Sequence, residues 1–282
     1  MRTFRALLAL TLFTGCASMA PPPQRFKILQ INDVYKIEGL EGGQSGGLAR
    51  VRTLREQLES DGTAVLVLHG GDALYPSVMS KYLDAAAMVD VLNVLDGDAD
   101  GFDPALILTF GNHEFDNKTA DILLKRMRES QFPWVSANAL YCSPSCGRFP
   151  QDEETLIREV NGLRIGIFGV MYPLKKDYVQ TTDVEDAARA AVANLRRQGA
   201  DVIIAITHED MSDDVELARA VPEIDLVIGG HDHLFLQDQV GDTWITKADA
   251  DAKSVIVYDV TVDRGKVRTA PLRVVLDATM PK

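Results

Sequence analysis

Five histidines occur in this 282-residue sequence, and each stands in a short motif of polar residues or glycine. The motifs are Asn32-Asp33, His69-Gly70-Gly71-Asp72, Gly111-Asn112-His113-Glu114, Thr207-His208 and Gly230-His231-Asp232-His233. A lone histidine after a strand is more often structural than ligating. Several histidines together with two aspartates and an asparagine form a set of hard oxygen and borderline nitrogen donors without thiolate. Such a set suits a pair of divalent or mixed-valence transition metals. A carboxylate shared by two ions holds them roughly 3.5–4 Å apart, the spacing that clamps a phosphoryl group during in-line attack.

Elements that could bring these motifs together are legible in the apolar pattern. From Phe26 onward, short β-rich runs alternate with amphipathic helical spacing, the signature of crossover units around largely parallel sheet. The pattern predicts strands at about 26–31, 64–68, 106–109, 133–137, 201–206 and 224–228. Helical spacing covers Leu48–Leu58, Val78–Leu95, Thr119–Arg128, Asp183–Arg197 and Asp213–Ala220. Asn161-Gly162 predicts a tight hairpin between Glu154–Val160 and Leu163–Val170, and further strands are expected at 243–247, 254–262 and 266–275. Each polar motif follows a predicted strand, and in open α/β sheets ligands bind beyond the carboxyl ends of strands. Two sheets face to face with helices outside fit this order.

The ordered motifs resemble the five blocks of the calcineurin-like metallophosphoesterases, from Phe26 to about Val262. Gly47-Leu-Ala-Arg50, Phe110–Asp116 and Ser136-Ala-Asn138 resemble most the catalytic domain of bacterial 5′-nucleotidases. The resemblance implies an α/β fold, a four-layer sandwich of two mixed sheets flanked by helices. It implies Asp33 and His233 on one metal, Asp72 as the bridge, and Asn112, His208 and His231 on the other, with Mn, Zn and Fe as candidates. His113 would stay unligated, stabilising charge or protonating the leaving oxygen, with Asp116 orienting its ring. A hydroxide acidified by the metals would be the nucleophile. The substrate implied is a small phosphate ester, nucleotides first. Phosphodiesterase action is an alternative that the same clamp supports, and a catalytically silent envelope lipoprotein is an alternative of another class. The first block departs from the usual Asp-x-His, reading Asp33-Val34-Tyr35, so Tyr35 is either a ligand or a pocket wall. Gly71-Asp72-Ala-Leu-Tyr75 reproduces a block of purple acid phosphatases whose tyrosine binds iron; pocket lining is the favoured reading of Tyr75.

Residues 1–15 pair Arg2 and Arg5 with an apolar run, and the stretch ending Gly15-Cys16 resembles a lipobox. The expectation is therefore a signal peptide over 1–15, an acylated Cys16 with a proline-rich tether to residue 24, and a phosphoesterase domain over 25–282 without a C-terminal nucleotidase domain. An ordinary secretory signal cleaved near Ala20 is the alternative. Either exports the protein, and in the first the lipid would anchor it to the membrane of the bacterial envelope, facing the periplasm or exterior. Loss of Arg2 and Arg5 moves the net charge from −12 to −14, a surface that repels nucleic acid. In an oxidising compartment Cys142 and Cys146 read as a small disulfide staple, since two thiols cannot complete a zinc sphere. Asp96-Gly-Asp98-Ala-Asp100-Gly101 begins like a calcium loop, but Ile107 stands where its bidentate glutamate belongs, so an acidic surface loop is expected.

Overall fold

The computed structural model describes residues 23–282; the expected signal segment, Cys16 and the tether to residue 22 lie outside the described residues. One sheet runs β17 (Lys266–Arg268), β16 (Ser254–Asp263), β1 (Gln24–Ile31), β2 (Val65–His69), β3 (Leu106–Leu108), β4 (Trp134–Val135) and β7 (Asp152–Glu153). An eighth strand, β18 (Pro271–Val275), also pairs with β16. From β1 to β7 the pairing is parallel, while β16 runs against β1. The second sheet runs β14 (Leu236–Val240), β15 (Thr243–Lys247), β13 (Leu226–Gly229), β12 (Val202–His208), β9 (Leu163–Met171) and β8 (Thr155–Val160). Its four inner strands are parallel and its two edges antiparallel. A small sheet of β10 (Lys175–Lys176), β11 (Val179–Thr181), β5 (Ala139–Cys142) and β6 (Cys146–Gly147) stands apart, with Cys142 and Cys146 disulfide-bonded.

Side-chain alternation makes each large sheet two-faced. In β1, Phe26 and Ile28 pack with Leu66, Ile165, Ile204 and Ile228 between the two sheets. Leu29 and Ile31 point the other way, onto Leu48 and Val51 of α1 (Leu48–Glu59). That outer face also packs against α3 (Ala86–Leu92) and α4 (Asp121–Glu129), α2 being the short helix Val78–Leu83. Beyond the second sheet, α5 (Val184–Arg197) and α6 (Met211–Ala220) close another core on Phe168, Ile203 and Val227. The architecture is thus a four-layer α/β sandwich of two mixed sheets flanked by helices. Strands buried on both faces must be apolar throughout, which accounts for the unbroken Val202–Ile206. Among the described residues no helix is long and apolar enough to cross a membrane.

The expected hairpin is present, with Asn161 (φ 52) and Gly162 (φ 80) both left-handed as a type I′ turn requires. Two expectations need correction. Val78–Leu95 is two helices, because Asp84 (φ 48) and Ala85 (φ 59) turn left-handed between them. The stretch 266–275 is two strands, β17 and β18, pairing with different parts of β16. The polar edge strand β14 and the small sheet carried too little apolar signal to be anticipated.

Gly169 on β9 marks where the sheets crowd: a Cβ there would lie 2.2 Å from both Thr109 Oγ1 and the Val135 carbonyl oxygen. Gly169→Ala is expected to cost about 1–3 kcal/mol as an overpacked core position. A lowered urea midpoint at constant m-value checks this, and an unchanged midpoint would show that the sheets can separate freely.

Candidate metal centre

Five strand ends deliver the motifs to one place, three from the first sheet and two from the second. β1 leads to Asp33, β2 to Asp72, β3 to Asn112 and His113; β12 ends on His208, and β13 leads to His231 and His233. The chain turns sharply at four of the candidate ligands. Asp33, Asp72, His231 and His233 all have positive φ, a conformation that non-glycine residues adopt only when the surroundings enforce it. Backbone contacts supply the enforcement: Asp33 N–H donates to Gly71 O at 3.1 Å, and Gly70 N–H to Ile31 O at 2.9 Å. The two sheets' loops meet backbone to backbone, so a Cβ on Gly230 would stand 2.2 Å from Gly70 O. One on Gly111 would stand 2.2 Å from Asp72 Oδ1.

Asp33, Asp72 and His208 are fully buried, and one ligand atom from each lies within 4.8 Å of the others. Asp33 Oδ2 accepts from Asn32 Nδ2 at 2.7 Å and from His231 N–H at 2.9 Å. Asp72 Oδ1 accepts from His113 N–H at 2.9 Å, and Asp72 Oδ2 is 3.4 Å from His208 Nε2. His208 Nδ1 lies 2.7 Å from Gly70 O and Nε2 3.2 Å from Asn112 Oδ1, so its ring is held from both sides. His233 Nε2 is 3.3 Å from Asp33 Oδ1. His231 stands slightly apart, its ring centroid 5.1 Å from that of His208 and its Nε2 3.5 Å from Asp210 Oδ1. His113 directs Nε2 to 4.0 Å from Asp72 Oδ2, while Nδ1 meets Asp116 Oδ2 at 2.8 Å. The Tyr35 hydroxyl sits at the centre, 3.0 Å from Asp33 Oδ1, 3.0 Å from Asp72 Oδ2 and 2.9 Å from His233 Nε2. Tyr75 is not brought to this cluster; it packs in the apolar core beside Asn117.

Charge explains the titration of these groups. Burial alone would raise Asp33, yet hydrogen bonding from His233 and the charge of His208 hold it well below the carboxylate range. Burial alone would lower His208, but Asp72 and Asp33 push it up to about 9. His233 is raised by its hydrogen bond to Asp33, and His231 is lowered by burial and by His208. Burial and the two carboxylates force Tyr35 far above a normal phenol, so its hydroxyl is neutral. Buried anions this close call for a cation, and the oxygen and imidazole donors around them fit divalent transition metals.

Sequence reasoning quoted Glu114 but gave it no role. It is fully buried and accepts the N–H groups of Asp72, Ala73, Leu74 and Gly111 at 2.6–2.9 Å, fixing the Asp72 turn against the Asn112 turn. Asp251 Oδ1 accepts the N–H groups of Tyr35 and Lys36, a contact no spacing rule reveals. Lys176, from the small sheet, places Nζ 3.7 Å from Asp116 Oδ1. His69 is buried with neither ring nitrogen bonded among the described residues, and burial pushes it down to about 4, leaving it neutral and outside the ligand set.

Residues 26–235 match the calcineurin-like phosphoesterase family. The chain is 29% identical over 246 residues to the snake venom 5′-nucleotidase of Crotalus adamanteus, covering 79% of this chain and 40% of that protein. Among solved structures it resembles a 5′-nucleotidase precursor from Thermus thermophilus, with a TM-score of 0.75 at 20% identity, covering 91% of this chain and 55% of that one. A calcineurin-like phosphoesterase of Bacillus subtilis has a TM-score of 0.72 at 21% identity, with 92% of both chains covered. At these identities the structural likeness shows the fold. The chain spans about two fifths of the length of the curated relatives it matches.

The His208 proton should be visible in stability. Its folded pKa of about 9 lies above the ordinary 6.5, so the stabilisation is complete below pH 6.5 and lost as pH rises through 9. Chelator-treated protein is expected to lose roughly 3 kcal/mol across that interval. Urea midpoints read the slope, and His208→Asn should flatten it; a slope that persists in the variant removes His208 as its source.

Proposed function

Because the chain belongs to the calcineurin-like phosphoesterase family, we propose that it hydrolyses small phosphate esters, nucleotides first, at a two-metal site. The observation that carries the proposal is the buried convergence of Asp33, Asp72 and His208 donor atoms within 4.8 Å. Asp33 and His233 would hold one ion, and Asn112, His208 and His231 the other. Asp72 would bridge, since its Oδ2 faces Tyr35 on one side and His208 on the other. Bound there, a metal pair supplies Lewis-acid charge for the phosphoryl oxygens and acidifies the attacking water. Tyr35, neutral and anchored through Asp251, occupies the place of the usual histidine, its hydroxyl set between the Asp33 and Asp72 carboxylates with one proton to donate.

His113 serves the leaving oxygen. Its Nε2 faces the carboxylate cluster, and Asp116 takes Nδ1, fixing the ring so that Nε2 is presented for proton exchange with the leaving oxygen. Lys176 restrains Asp116 in turn. Nucleotides are favoured on similarity to 5′-nucleotidases. The reading also includes export, acylation of Cys16 and attachment to the bacterial envelope. A disulfide between Cys142 and Cys146 suits an oxidising compartment.

The test is phosphate release from mononucleotides, sugar phosphates and chromogenic mono- and diesters by the full chain loaded with Mn²⁺, Zn²⁺ or Fe³⁺. Chelator-sensitive release is expected, strongest on monoesters. His113→Ala should lower turnover by roughly 10²–10⁴ with metal content intact, whereas Asp72→Asn should lower metal content too. Silence with every metal and ester would overturn the proposal in favour of a binding role.

A further inference from the structure

Lys247, the last residue of β15, is fully buried, an uncommon place for an ammonium. Its stem passes Gly229, where a Cβ would come within 3.0 Å of Lys247 Cε. Beyond that gap, Nζ reaches four oxygens. It donates to the main-chain oxygen of Glu209 and, at 2.8 Å, to that of Gly230. It also pairs with Asp214 Oδ2 at 2.9 Å and Asp232 Oδ2 at 2.6 Å.

The identity of those partners gives the contact its meaning. Glu209 follows His208 in the chain, Gly230 precedes His231, and Asp232 lies between His231 and His233. A single cation therefore ties together the two loops that supply three of the candidate imidazole ligands. Asp214, fully buried on α6, anchors the same ammonium to the helical layer behind. Removing the ammonium would leave two carbonyls without their donor and two carboxylates repelling each other at low dielectric. The half-exposed loop is the part free to yield, since Asp214 is locked in the core and the side chain of Asp232 is 23% exposed.

We propose that Lys247 is a positioning residue of the metal centre, holding the His208 strand end and the His231–His233 loop in register for ligation. This rests on the two-metal reading above. A purely structural lysine would affect folding alone, whereas a positioning lysine governs affinity for metal in protein that is already folded. Partners that orient metal ligands typically cost 10–100-fold in affinity when lost.

The experiment is a Co²⁺ titration of the metal-stripped full chain, read by visible absorption and by competition with a chelator, alongside circular dichroism and melting of the metal-free form. Lys247→Met is expected to bind Co²⁺ roughly 10–100-fold more weakly with an altered absorption spectrum. Lys247→Gln, which keeps a donor, should recover part of the loss. Asp232→Asn should weaken Co²⁺ several-fold without unfolding the protein, and it decides the matter if the Lys247 variants fail to fold. Folded variants with wild-type affinity and spectrum would overturn the proposal. Wild-type protein that takes up no Co²⁺ would overturn the metal-centre reading and this inference with it.

Discussion

Two carboxylates, those of Asp33 and Asp72, are sealed from solvent close to each other and to His208. Like charges so placed repel strongly in a medium of low dielectric and persist only if they are compensated. Compensation comes from backbone N–H groups of His113 and His231, from Asn32, and from the proton held on His208. Glu114 adds a third buried carboxyl, and burial together with Asp72 pushes it up to about 7 although four N–H groups face it. Such an arrangement is costly in a protein that only needs to fold. It becomes intelligible when the anions exist to attract cations.

Holding the carboxylates there imposes conditions on the backbone. Positive φ at four candidate ligands cannot be maintained by local preference, so neighbouring loops must enforce it. Gly70, Gly71, Gly111 and Gly230 let those loops approach more closely than any Cβ permits. The loops in turn stand on strands from two different sheets. Their spacing depends on the apolar layer of Phe26, Ile28, Ile165 and Ile204, and on Gly169 against Val135. A site at the seam between two sheets is therefore as rigid as the core below it, which suits chemistry that depends on ligand placement.

Much of this was legible because polarity and strand endings coincide in the sequence. Asp33, Asp72, Asn112, His208, His231 and His233 each interrupt or end an apolar run, and runs buried on both faces leave few other readings. What remained hidden depends on contacts between distant segments. Glu114 lies inside a quoted motif, yet its role is to accept N–H groups from residues some forty positions away. Lys247 looks like the polar end of an alternating strand, and only the fold turns it inward. The break at Asp84-Ala85 is a local backbone choice that helical periodicity cannot register. The small sheet has strands of two to four residues, too short for any period to emerge, although it carries Lys176 to Asp116.

Tyr35 shows how a departure from a family pattern can be read physically. Its hydroxyl owns one proton but faces two carboxylate oxygens and an imidazole nitrogen, so it cannot donate to all three. His233 shares the arrangement: its Nε2 lies 2.9 Å from the phenol oxygen and 3.3 Å from Asp33 Oδ1, while the single phenol proton goes to one carboxylate. Tyr35 thus extends the same proton network that balances Asp33 and Asp72. An imidazole in its place would offer a lone pair to a metal at neutral pH. A phenol must first lose a proton that two anions hold in place. Cations entering this site consequently compete with the proton on His208, and metal uptake is coupled to proton release.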